Sequence, residues 1–80
     1  MTAVTVLYFA SLRQAAGVEQ ETVQTEASDL AGLYAQLRER HELRFDTAHL
    51  RVAVDDVFAQ WGDALRQGSR VAFIPPVSGG

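Results

Sequence analysis

Only one stretch of this chain of 80 residues carries the stripe of an amphipathic helix, and that limits the fold more than anything else in it. Leu30, Leu33, Tyr34 and Leu37 fall at i, i+3, i+4 and i+7, a single apolar face. The spacing predicts a helix over residues 28–41. Ser28 can cap its N-terminus, Asp29 sits in the first turn, and Arg38, Arg40 and His41 lie in the last, all matching the helix dipole. Gly32, inside this helix, costs about 1 kcal/mol relative to alanine and points to a close approach by another element. One such stripe covers one face of one sheet. The remaining apolar residues must therefore be strands.

Five segments read that way. Residues 3–10 are β-branched, aromatic or aliphatic throughout Val4 to Phe9, apolar on both faces as a central strand is. Residues 11–16 predict one or two helical turns, with Ser11 as N-cap and Gly17 as a left-handed C-cap. Residues 18–25 form a second strand in a hairpin with the first, with Glu19 and Glu21 solvated. A connection over 43–49 leads to strands over 50–54 and 57–59, joined by a tight Asp55-Asp56 turn. Adjacent carboxylates can serve acid–base catalysis or a divalent metal, but two neighbours at a strand turn point in different directions, which favours turn chemistry. Residues 61–67 predict a loop with a helical turn, ended by Gly68, and residues 70–74 the last strand. The order gives an α+β fold: one mixed five-stranded sheet with one main helix across one face, the first and last strands parallel in the middle.

Length and composition exclude several function classes. The chain is one domain, too small for a deep cleft. It has no cysteine, hence no disulfide framework and no thiolate metal site. His41 and His49 lack ligand spacing, so no metal is expected. The net charge is −3 with no basic patch, which speaks against nucleic acid. Met1-Thr2-Ala3 carries no basic leader, and the apolar run over 4–10 is too short to span a membrane, so a cytoplasmic location is expected. All seven basic residues are arginine. GC-rich coding accounts for that. So does chemistry, because lysine amines and cysteine thiolates are the nucleophiles that would capture an activated terminus.

The chain closes on Ile74-Pro75-Pro76-Val77-Ser78-Gly79-Gly80. The prolines have no N–H, so the strand ladder stops there, and they favour extended geometry. This divides the chain into a domain over 1–74 and an extended tail over 75–80. Six residues can reach roughly 20 Å at about 3.3 Å each. Gly79 and Gly80 have no Cβ and can thread a narrow channel. The functional group predicted here is the main-chain carboxylate of Gly80, with Pro75, Pro76, Val77, Ser78 and Gly79 as the inserting segment. A frayed tail without function is the alternative.

The element order, the block Leu7-Tyr8-Phe9-Ala10-Ser11-Leu12-Arg13 and the run from Gly68 through Val71-Ala72-Phe73-Ile74-Pro75-Pro76 to Gly80 resemble the ubiquitin-like β-grasp sulfur carriers. The specific resemblance is to small subunits of molybdopterin synthase, the MoaD type. Thiamine-pathway carriers resemble the chain in fold but usually lack the Pro-Pro step, and the family often has Asn where this chain has Asp55. The resemblance implies that a MoeB-type adenylating enzyme uses ATP to make a Gly80 acyl adenylate. Sulfur then gives a Gly80 thiocarboxylate, which enters a pocket of a MoaE-type large subunit and donates sulfur to cyclic pyranopterin monophosphate. No bound cofactor is implied, catalytic side chains belong to the large subunit, and the assembly is a heterotetramer. A carrier for thiamine, tRNA thiolation or cysteine synthesis, and a ubiquitin-like protein modifier, are the alternatives.

Strand alternation places Val71 and Phe73 on one face of the last strand and Ile74 on the other. In the first strand it sets Val4, Val6 and Tyr8 opposite Leu7 and Phe9. The resemblance matches Phe9, Phe58 and Ile74 to positions that dock the large subunit, with Arg13 at the polar rim. The alternative is that the loops over 45–49 and 60–67 fold over them.

Overall fold

A computed structural model describes residues 1–76. The elements are β1 (Thr2–Tyr8), α1 (Ala10–Ala16), β2 (Gln20–Thr25), α2 (Leu30–His41), a 3-10 turn (Thr47–His49), β3 (Arg51–Val54), β4 (Val57–Ala59) and β5 (Arg70–Ile74). The strands form one mixed sheet in the order β2-β1-β5-β3-β4. β1 and β5 are parallel at its centre, with Tyr8 opposite Phe73; every other pairing is antiparallel. The five strands and main helix are those the sequence predicts.

The α2 stripe lies against the sheet as expected. Leu30, Leu33, Tyr34 and Leu37 are buried in one cluster with Val4, Val6, Tyr8, Val23, Val52, Val71 and Phe73. Tyr34 meets Phe73 edge-on at 5.1 Å between ring centroids, and Trp61 stacks on Phe73 at 5.9 Å. The cap of α2 is Asp29 rather than Ser28: its Oδ1 accepts the Gly32 N–H at 2.8 Å. Ser28 uses its carbonyl to accept the Leu65 N–H. The close approach at Gly32 comes from the helix's own entry, since a Cβ there would stand 3.1 Å from the Ala27 Cβ and 3.2 Å from Asp29 Oδ1.

Other boundaries shift for identifiable reasons. β1 ends at Tyr8, and Phe9 takes the N-cap position of α1 with no side-chain cap, so Ser11 lies inside that helix. Gly17 closes α1 in the left-handed region at φ 80°, as expected. Asp55 and Asp56 form the β3–β4 turn at φ 50° and 71°. Asp55 also carries the β3–β5 ladder one step further, donating its N–H to the Arg70 carbonyl and accepting the Arg70 N–H on Oδ1, both at 2.9 Å. Residues 61–67 form no helical turn. Their carbonyls are engaged by the start of α2, where Leu30 N–H meets Asp63 and Ala31 N–H meets Trp61.

Glu21 is half-buried rather than fully solvated. It shares the helix-facing side of β2 with Val23 and Thr25, and its carboxylate accepts hydrogen bonds from the Tyr8 hydroxyl at 2.5 Å and from His41 Nε2 at 2.7 Å, while Arg40 approaches to 3.7 Å. Partial burial alone would raise the Glu21 carboxyl. The Tyr8 and His41 hydrogen bonds and the adjacent positive groups outweigh it, and the net shift is downward. Burial, then the Glu21 carboxylate, pushes the Tyr8 hydroxyl strongly up.

Candidate functional site: the tail exit and the open face

The helix covers one side of the sheet only. On the other side, the register aligns a row running Gln20, Leu7, Ala72, Ala53 and Phe58 across all five strands. Ile74 and Arg51 form the next pair towards the end of β5. This face is apolar in its middle: Leu7, Ala72 and Ile74 are half-buried, and Phe58 is 66 % exposed. Neither helix lies over it, because α2 packs on the opposite side and α1 buries Leu12 in the same core.

The end of β5 opens directly onto a groove beside this face. Phe58, Trp61, Ile74, Pro75, Pro76 and Arg51 are among its lining residues. Pro75 is buried and Pro76 exposed, so the prolines carry the chain from the sheet into solvent at that point. The structure thus brings together four of the residues singled out from sequence: Phe58, Ile74, Pro75 and Pro76. The expectations for Val77, Ser78, Gly79 and Gly80 lie outside the described residues.

Phe9 and Arg13 stand apart from the groove lining. Phe9 follows the Tyr8–Phe73 pair, which puts it at the same end of the sheet as Ile74, and it is 46 % exposed at the start of α1 rather than in β1. Arg13 lies on α1, with its guanidinium 4.0 Å from Glu19 and both side chains largely in water. The loops over 45–49 and 60–67 do not cover Phe9 or Phe58. Phe45, Trp61 and Leu65 pack against the core, while Ala48, His49 and Gln60 flank the half-buried Ile74.

The sequence reading missed Arg51 and the row through Leu7, Ala72 and Ala53. Alternation assigns those residues a face, but only the register shows that they lie side by side. His49 lines the groove, but its ring is engaged by Asp46, whose Oδ1 it meets at 2.9 Å, and that hydrogen bond holds the Asp46 carboxyl below its usual range. Among the described residues, no three His, Cys, Asp or Glu side chains come together as a metal site, and no helix is long and apolar enough to cross a membrane.

Comparison with known proteins gives a consistent result. The molybdopterin synthase sulfur carrier subunit of Mycobacterium tuberculosis is 35% identical over 83 aligned positions, covering all of both chains. The structure of molybdopterin converting factor subunit 1 from Pyrococcus furiosus superposes with a TM-score of 0.80 at 30% identity, covering 96% of this chain and 100% of that one. A complex of subunits 1 and 2 of the molybdopterin-converting factor from Helicobacter pylori matches with a TM-score of 0.68 at 26% identity, covering 99% of this chain and 100% of that one. The architecture is therefore the ubiquitin-like β-grasp that the sequence pointed to. The ThiS family model matches residues 6–80, nearly the full length and including the Pro-Pro step and the Gly-Gly pair. On sequence and on fold, the chain belongs to the ThiS family.

Proposed function

We propose that this chain is the sulfur carrier and small subunit of a molybdopterin synthase, with the Gly80 thiocarboxylate as its working group. The observation that carries the reading is the location of the exit: β5 ends at Ile74 beside the apolar face that the helices leave open among the described residues, and the Pro75-Pro76 step leaves from there. A partner seated on that face, docked by Phe58, Ile74 and Phe9 with Arg13 at the rim, would receive the tail without a second binding event. The relatives' shared description as molybdopterin synthase sulfur carrier subunits supports the pathway.

In this reading a carboxylate oxygen of Gly80 attacks the α-phosphate of ATP on a MoeB-type enzyme, and pyrophosphate leaves. A sulfur nucleophile then takes the acyl carbon and AMP departs, giving the thiocarboxylate. On a MoaE-type large subunit, in a heterotetramer, the thiocarboxylate sulfur bonds to a carbon of cyclic pyranopterin monophosphate and displaces an oxygen there; water then cleaves the Gly80 thioester, which leaves the sulfur on the pterin and restores the Gly80 carboxylate. The chain has no cysteine or lysine of its own to act as nucleophile, and its two histidines are not clustered; this reading assigns the acids and bases of these steps to the partners. No cofactor is held by the carrier, and the work is cytoplasmic.

Deleting Gly80, or adding one residue after it, should abolish sulfur transfer while thermal melts stay those of the wild type. Intact mass spectrometry after incubation with the activating enzyme, ATP and a sulfur donor reads the exchange of one terminal oxygen for sulfur. Thiocarboxylate on the deletion variant would sink the proposal. Adducts on lysines of other proteins in cells would mark a modifier instead.

A further inference from the structure

Beside the tail exit, the open face carries a charge that apolar docking does not account for. Arg51 is exposed on β3, the strand between β5 and β4, and its Cα pairs with that of Ile74, the last residue before the prolines. On its other flank its guanidinium carbon lies 5.8 Å from the centroid of the Phe58 ring. An aromatic face attracts a cation at that distance and so biases the side chain to lie across the patch rather than stray into water. The ion pairs among the described residues join Arg13 to Glu19, Arg40 and His41 to Glu21, and His49 to Asp46; none includes Arg51. Asp55 and Asp56 are at the opposite end of the β3–β4 hairpin, where Asp55 is bound to the Arg70 backbone.

Among the described residues, Arg51 therefore presents a positive charge without a counter-charge, held in place between two apolar docking residues. A partner that covers Phe58 and Ile74 must also cover this guanidinium. Taking it out of water unpaired is strongly unfavourable, whereas a carboxylate fits its planar fork with two parallel hydrogen bonds.

We infer that Arg51 selects the partner at this face, and that the occupant is a protein surface presenting an aspartate or glutamate where Arg51 meets it. The inference rests on the proposed docking of a large subunit. An apolar surface with no acid at that point, or with a lysine or arginine there, is rejected even if its shape fits.

The test is titration calorimetry of the full chain against its large subunit at low and high salt. Arg51→Gln should weaken binding by roughly 30-fold or more, the scale of breaking one half of a buried charge pair. Arg51→Lys, which keeps the charge but loses the fork, should recover only part of that loss. The affinity of Arg51→Gln should also respond less steeply to salt than that of the wild type, which a merely structural role would not produce. Ile74→Arg serves as the control for the docking itself. If Arg51→Gln binds as the wild type does while Ile74→Arg abolishes binding, the selectivity role is wrong and the docking stands. If both bind as the wild type does, the docking reading falls with it.

Discussion

The two faces of the sheet use the same residue types to different ends. Under α2, Val4, Val6, Tyr8, Val52, Val71 and Phe73 are each no more than 2 % exposed, closed over by Leu30, Leu33, Tyr34 and Leu37. On the far side Leu7, Ala72 and Ile74 keep partial contact with water, and Phe58 has little cover at all. Twelve helical residues seal one face and no more. The covered face holds the domain together. The open one keeps apolar surface that folding does not need, placed beside the tail exit, and such patches mark interaction sites.

The comparison breaks most visibly if the covered face tolerates a hole. Leu37→Ala should cost about 2–5 kcal/mol in denaturant melts, transfer and cavity terms together. In a domain whose total stability is of order 5–15 kcal/mol, that approaches loss of fold. A variant that melts with the wild type would mean that the stripe does not carry the core.

A smaller effect should appear at the polar rim of the covered face. Glu21→Gln leaves the Tyr8 hydroxyl and His41 with a weaker acceptor and should cost about 1–3 kcal/mol at neutral pH. The sign of its pH dependence follows from the downward shift of the Glu21 carboxyl from 4.5. A carboxyl with a depressed folded-state pKa contributes stability that is present above its unfolded value and lost as pH falls through the folded one. The wild type should therefore lose this contribution as pH drops below 4.5, and Glu21→Gln should show a shallower acid limb. Equal slopes in melts across that range would assign the acid sensitivity elsewhere.

The smallest effect on stability belongs to the open face. Phe58→Ser should shift the unfolding free energy by no more than about 0.5 kcal/mol, as exposed positions do. The same variant should bind the large subunit measurably worse. A marked loss of stability would show that Phe58 belongs to the fold and not to the interface.

Much of this contrast was legible in the sequence, and the rest fails for physical reasons. The α2 stripe and the alternation of β5 are local periodicities, so the core residues of both could be read directly. The same holds for the Asp55-Asp56 turn and the Gly17 cap. What escaped was pairing between distant segments. Glu21 looked solvated because its partners Tyr8 and His41 lie 13 and 20 residues away. Yet its parity with Val23 and Thr25 already placed it on the helix side. Arg51 could not be set beside Ile74 until the β3–β5 register was known. At the tail exit, Ile74 and the prolines were readable because strand and breaker are adjacent in sequence, whereas the row through Leu7, Ala72 and Ala53 exists only in the folded sheet.

The parallel pairing of β1 with β5 also fixes how the molecule bears a load. The start of β1 and the end of β5 lie at opposite ends of adjacent central strands, in a register running from Thr5–Arg70 to Tyr8–Phe73. Tension applied between Thr2 and Pro76 would run along those strands and strain their hydrogen bonds together, in shear, instead of opening them one by one. Forced unfolding is governed by the rate of crossing that barrier and not by equilibrium stability. A carrier pulled by its tail against its other end would resist far more than one peeled from the three-residue edge strand β4.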